Sequence, residues 1–159
     1  MSEKLSGRDA FNYAFENFTD TVYRVAAHNT ATTADAEDIS QEVFIKLLEK
    51  TRSFKNPEHL KAWLIRVTIN LSRSLYRSSK RQTELGADIP APENEDIKVI
   101  DYVRALPEKY RNTIYLHYYE GYSAAEIADI LGSKQNTVLS WLKRGRELLK
   151  EQIGGFDDE

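Results

Sequence analysis

Apolar positions along the chain recur at steps of three and four residues, and no useful length alternates with the period of two expected of a half-buried strand. An all-α fold is predicted. Over residues 9–29, Phe11, Phe15, Phe18, Val22 and Val25 form one stripe, with Asp9 placed as the N-cap of a single helix. Residues 34–51 repeat the pattern through Ile39, Val43, Phe44, Leu47 and Leu48. Asn56-Pro57 interrupts helicity, and a third helix is expected from about His59 to Arg77, with Val67, Leu71 and Leu75 turned toward the first two.

From Ser78 the texture changes. The run SSKRQTELGADIPAPENED holds Gly86, Pro90 and Pro92 and few large apolar groups, which suits a semi-extended acidic linker. Because ~19 structureless residues are uncommon inside a compact fold, two small helical domains are expected at 1–78 and 97–153. The linker between them spans 79–96, and a frayed acidic tail occupies 154–159. The second domain is expected to open with a short helix near 97–106 and a helix to about Tyr119 with Pro107 in its first turn. GYSAAEIADILGSKQNTVLSWLKRGRELLKEQ then reads as two helices with the spacing of a helix-turn-helix. Ser123 and Glu126 form a capping box, Ile127, Ala128 and Leu131 face inward, and Gly132 ends the first helix in a left-handed conformation. Val138, Leu142, Gly145 and Leu149 form the inner stripe of the second.

Composition narrows the chemistry more than the fold. The 159 residues include no cysteine, which removes disulfides, thiolate metal sites and thiol nucleophiles. His28, His59 and His117 are scattered singly. An apolar content of 41% with 30% charge is that of a globular protein. No apolar run approaches the ~20 residues that span a bilayer, and the N-terminus lacks the order of a signal peptide, so no membrane insertion and a cytoplasmic location are expected. The net charge of −3 conceals a segregation: residues 61–83 hold 6 basic and 0 acidic side chains, and residues 84–102 hold 1 and 6. A positive face attracts polyanions even on an acidic protein, since salt screens distant charges over ~8–10 Å. A solvated helix face is the plainer alternative for such a run.

Three constellations carry chemistry. On a helical wheel Arg66, Asn70, Arg73 and Arg77 follow steps of four, three and four and form one row, with Trp63 at its edge. Guanidinium groups beside an aromatic ring and an amide suit a single strand, whose phosphates meet the charges and whose bases stack; Trp63 as a core aromatic is the alternative. On the outer face of the second helix of the helix-turn-helix, Asn136, Thr137, Ser140, Lys143 and Arg144 offer hydrogen bonds and charge to duplex DNA, an ordinary helical hairpin being the alternative. Within DAEDISQEVFIKLLEK, Asp35, Asp38, Glu42 and Glu49, with Gln41 beside them, spread over the exposed side of an amphipathic helix. No histidine or glycine-rich loop accompanies them to suggest metal or acid/base chemistry, and docking on a basic protein partner is the better reading.

In that order, these features resemble a bacterial RNA polymerase sigma factor of the extracytoplasmic-function group, with its second and fourth regions only. The second-region signature, roughly DAEDxxQEVFxxLW, an aromatic-WL and an N-x-x-x-D-x-x-R run, is met by Asp35 to Leu48, Ala62-Trp63-Leu64, Asn70 and Arg77. The fourth-region signature is met by Leu106-Pro107, Arg111, Leu116, Glu120-Gly121, Ser123, Glu126-Ile127-Ala128, Leu131-Gly132, Thr137-Val138, Ser140, Leu142, Arg144 and Arg146.

The resemblance implies a non-enzymatic specificity subunit without cofactor or metal. Asp35, Asp38, Gln41 and Glu42 would dock on the clamp helices of the large polymerase core subunits, beta and beta-prime. Lys55, Asn56, His59, Lys61, Trp63, Arg66, Asn70, Arg73 and Arg77 would capture and melt the minus-ten element. Arg111, Ser123, Asn136, Thr137, Ser140, Lys143 and Arg144 would read the minus-thirty-five element of promoter DNA. The linker would occupy the RNA exit path, and an anti-sigma factor is an expected partner. The runner-up is a helix-turn-helix regulator acting without polymerase core; a helical enzyme is remote. Ser74 stands where the family has Asp, and Asn136, Leu139 and Trp141 replace Gly, Lys and Arg. The last two substitutions remove positive charge, so a shallower salt dependence is expected.

Overall fold

The computed structural model describes residues 5–50, 53–83 and 98–154. Among these residues the regular elements are all α-helices, as the periodicity predicts, eight in number, with one isolated antiparallel bridge between Leu5 and Phe54. The chain divides into two compact units, Met1–Ala87 and Asp88–Glu159.

The first unit holds α1 (Gly7–Asn17), α2 (Thr19–His28), α3 (Thr33–Glu49) and α4 (Pro57–Thr83). Ala10, Ala14, Val22, Ala26, Ala36 and Val43 are fully buried where these helices meet, and Leu47, Phe54, Leu60 and Leu64 complete the centre. Small residues on α1 and α2 let the helices approach closely, while larger side chains from α3 and α4 fill the space.

The single helix expected over 9–29 is two. Phe18 breaks it with φ −125° and ψ 9°. At the break the Thr19 hydroxyl donates to the Phe15 carbonyl, four residues back. Asp9 lies in the first turn of α1, and Ser6 occupies the N-cap position in its place. At the far end of α2, the Asn29 amide donates to Val25 O at 2.9 Å, and the Thr30 hydroxyl, at 2.9 Å, shares Ala26 O with the Asn29 N–H. Thr32 caps α3, its hydroxyl accepting from Asp35 N at 3.0 Å.

Helix α4 runs past Arg77 to Thr83, so positions 79–83 of the expected linker are helical. The remainder of the linker, 84–96, and the tail beyond Gly154 lie outside the described residues. The inner side of α4 is broader than the expected stripe. Leu60, Leu64, Ile65, Thr68, Ile69 and Ser72 are buried, whereas Val67, Leu71 and Leu75 are half-buried at the border of the core. Thr68 and Ser72 tolerate burial because their hydroxyls donate back to Leu64 O at 2.6 Å and Thr68 O at 2.8 Å.

The second unit contains α5 (Val99–Arg104), α6 (Glu108–Tyr118), α7 (Ala124–Leu131) and α8 (Gln135–Ile153). Pro107 stands at the N-cap of α6 rather than in its first turn. Val103, Leu106, Ile114, Leu116, Ile127, Val138 and Leu142 are buried together with the closely approaching Gly145. On α7 the buried residues are Ile127, Ala128 and Ile130, with Leu131 only half-buried.

Candidate nucleic-acid interface

The start of α4 is built by side chains. Asn56 Oδ1 accepts from His59 N at 2.8 Å, Pro57 fills the first helical position, and Lys55 N donates to His59 Nδ1 at 3.1 Å. The His59 ring also lies edge-on to buried Phe54, at 5.9 Å and 75°. Asn56 and His59 therefore shape the turn that presents exposed Lys55.

Beyond that turn, Arg66, Asn70 and Arg77 are exposed and Arg73 half-buried, and all four fall on one side of α4 as the helical wheel predicts. Exposed Ser74 lies on the same side, four residues from Asn70 and three from Arg77. Trp63 divides between the two readings open to it. Its ring packs on Phe54 at 5.5 Å and 64°, and Lys50 Nζ sits 5.1 Å from its centroid, yet it keeps part of its surface in solvent. Lys61, two residues before Trp63, is half-buried.

On α3, Asp38, Gln41 and Glu42 are exposed and Asp35 is half-buried. The same outer side exposes two large apolar groups, Ile45 at 47% and Leu48 at 59%, so it is not purely acidic. Leu48 leaves the inner stripe to which its spacing assigned it, because the stripe closes on Leu47 one residue earlier. Phe15, 58% exposed, likewise stands outside the core and packs against Phe11 and Phe44 at 6.0 Å each.

In the second unit Ser123 and Glu126 form the expected reciprocal cap. Glu126 N donates to Ser123 Oγ at 3.1 Å and Ser123 N to Glu126 Oε1 at 2.8 Å. The Ser123 hydroxyl hydrogen can still donate outward. Gly132 adopts φ 70°, turning the chain sharply into α8. Asn136, Ser140, Lys143 and Arg144 are exposed and Thr137 half-exposed on the outer side of α8. Arg144 pairs with Glu147 at 3.3 Å and Glu151 at 3.7 Å; such exposed pairs are weak, so a phosphate can displace them. Trp141 is half-buried on the flank of α8, its ring 6.0 Å from Lys109 Nζ. The Tyr119 ring stacks on Tyr115 at 5.6 Å, and desolvation raises its phenol pKa.

Among the residues grouped with duplex reading, Arg111 is only 9% exposed, and its guanidinium donates to Leu106 O at 3.1 Å, tying α6 to the connection from α5.

Residues 14–82 match Sigma-70 region 2 and residues 97–149 match Sigma-70, region 4. The chain belongs to the sigma-70 family. It is similar to the ECF RNA polymerase sigma factor SigW of Bacillus subtilis (strain 168), with 29% identity covering 94% of this chain and 92% of the relative. SigE of Mycolicibacterium smegmatis is 31% identical over 88% of this chain and 60% of its own length. Among solved structures, the sigma factor RpoE from Bartonella quintana, crystallised with the anti-sigma factor NepR, has the same fold. Its TM-score is 0.76, with 23% identity over 94% of this chain and 98% of that one. The chain is thus an alternative sigma factor of the extracytoplasmic-function group, directing promoter-specific transcription with RNA polymerase. No helix among its described residues is long and apolar enough to cross a membrane.

Sequence reasoning missed Ile45 and Leu48 as surface residues of this sigma factor. The available signal was that α3 carries more large apolar residues than one inner stripe accommodates.

Proposed function

We propose that this sigma factor divides its tasks by helix face. The outer side of α3, with Asp38, Gln41 and Glu42 around Ile45 and Leu48, docks on the polymerase core. An apolar centre with a charged rim is the usual anatomy of a protein interface. The row Arg66, Asn70, Arg73 and Arg77, with Lys55, Lys61 and Trp63 near its start, holds the minus-ten element as a single strand. Asn136, Thr137, Ser140, Lys143 and Arg144 on α8 read the minus-thirty-five duplex, Ser123 adding a phosphate contact.

The observation that carries this reading is the face of α4, where an arginine row and an amide run without an acidic side chain beside a partly exposed tryptophan. The chain itself catalyses no reaction and acts in the cytoplasm, where its polymerase works. An anti-sigma factor, such as the one bound to the Bartonella relative, would restrain it by covering these faces.

Run-off transcription with core polymerase and a promoter library, with transcript ends sequenced, tests the reading. Promoter-specific starts are expected. In the same assay Arg77→Ala should reduce strand opening, read by permanganate reactivity, more than it reduces core binding. Equal losses would argue against the division, and failed initiation with tight duplex binding by the free protein would favour a polymerase-independent regulator.

A further inference from the structure

Helix α8 buries or half-buries its other large apolar side chains, but Leu139 is 47% exposed. It lies in the second turn, on the outer side, three residues from Asn136 and four from Lys143, with Ser140 next to it. These neighbours are the polar groups proposed above to face duplex DNA, and the N-terminal turns of such a helix are those that reach base edges. An isolated exposed leucine is ordinary on a protein surface. In the centre of a base-reading face its chemistry is specific. Leucine can neither donate nor accept a hydrogen bond, and the major groove presents one apolar group, the C5-methyl of thymine.

We infer that Leu139 is a specificity-determining residue that packs against the C5-methyl group of one thymine in the duplex bound by α8. The inference rests on the proposed reading of α8. It gives the position a positive role beyond the loss of a cationic side chain: an electrostatic contact, indifferent to sequence, is exchanged for an apolar one that favours thymine.

The test uses holoenzyme, reconstituted from the full chain and core polymerase, on a selected promoter. Each upstream thymine is replaced singly by deoxyuridine, which keeps every hydrogen-bonding group and removes only the methyl. One replacement should weaken binding about three- to fourfold, the worth of burying one such group. Leu139→Ala should bind the thymine and uracil promoters equally, and Leu139→Met, which keeps the apolar reach, should retain the preference. No sensitive thymine, or an unchanged thymine-to-uracil ratio in Leu139→Ala, overturns the inference. Scrambling the whole upstream element separates the two claims: if binding is then unchanged, the reading of α8 itself fails. If scrambling matters while the uracil scan is silent, only the role of Leu139 falls.

Discussion

Gly145 occupies the interior of α8, where glycine costs a helix about 1 kcal/mol relative to alanine. A Cβ added there would meet Ile114 Cγ1 at 2.8 Å and Cδ1 at 3.1 Å, with Tyr110 Cβ at 3.6 Å. Carbon pairs prefer ~3.5–4.0 Å, and Ile114 is 1% exposed, so it has little room to retreat. Overpacking of this kind costs ~1–3 kcal/mol. Set against the gain in helix propensity, Gly145→Ala should destabilise the second unit by ~1 kcal/mol. In an Ile114→Ala background both crowding atoms are gone. The same substitution should there stabilise by ~1–2 kcal/mol, from propensity plus ~0.8 kcal/mol for a methyl placed in the cavity. The double-mutant cycle should therefore show a coupling of ~2–3 kcal/mol with a change of sign. Trp63 and Trp141 are the two tryptophans of the chain, so urea unfolding in a Trp63→Phe background, followed by Trp141 fluorescence, reports the second unit. An effect of Gly145→Ala that is the same in both backgrounds would refute the close approach of α8 to α6.

Other expectations concern the same unit. Ser123→Ala removes the hydroxyl that caps α7 and should cost ~1 kcal/mol, with faster amide exchange at Glu126 as its local signature; unchanged exchange would count against the cap. Arg111→Ala leaves the Leu106 carbonyl without its guanidinium donor and should destabilise by ~1–3 kcal/mol. The salt slope of promoter binding should not change, and a slope shallower by about one would restore Arg111 to the DNA contacts. The Thr113 hydroxyl is fully buried without a hydrogen-bond partner, so the nearly isosteric Thr113→Val should raise the melting temperature. A lower one would show that the hydroxyl has a partner in solution.

Local chemistry was legible wherever it is written in neighbouring residues. The Ser123–Glu126 box, the left-handed Gly132 and the inward Val138, Leu142 and Gly145 all lie where their spacing put them. The row on α4 needed only the helical repeat, since four side chains on one helix share a side whatever packs behind them. Motif order along the chain pointed to the family for the same reason.

What periodicity could not decide is which of several apolar residues on a helix meets another helix. Leu47 and Leu48 are equally apolar, and only the positions of the neighbouring helices leave one at 1% and the other at 59% exposure. Resemblance alone put Arg111 among the duplex-reading residues, and only the fold shows that α6 turns it toward the Leu106 carbonyl. The split of α1 from α2 at Phe18 falls within one continuous apolar stripe, so periodicity carried no sign of it. The sequence by itself determined the helical class, the cap of α7 and the polar rows along α4 and α8. The tertiary structure decided which faces remain open to solvent, because burial depends on neighbours that lie far away along the chain.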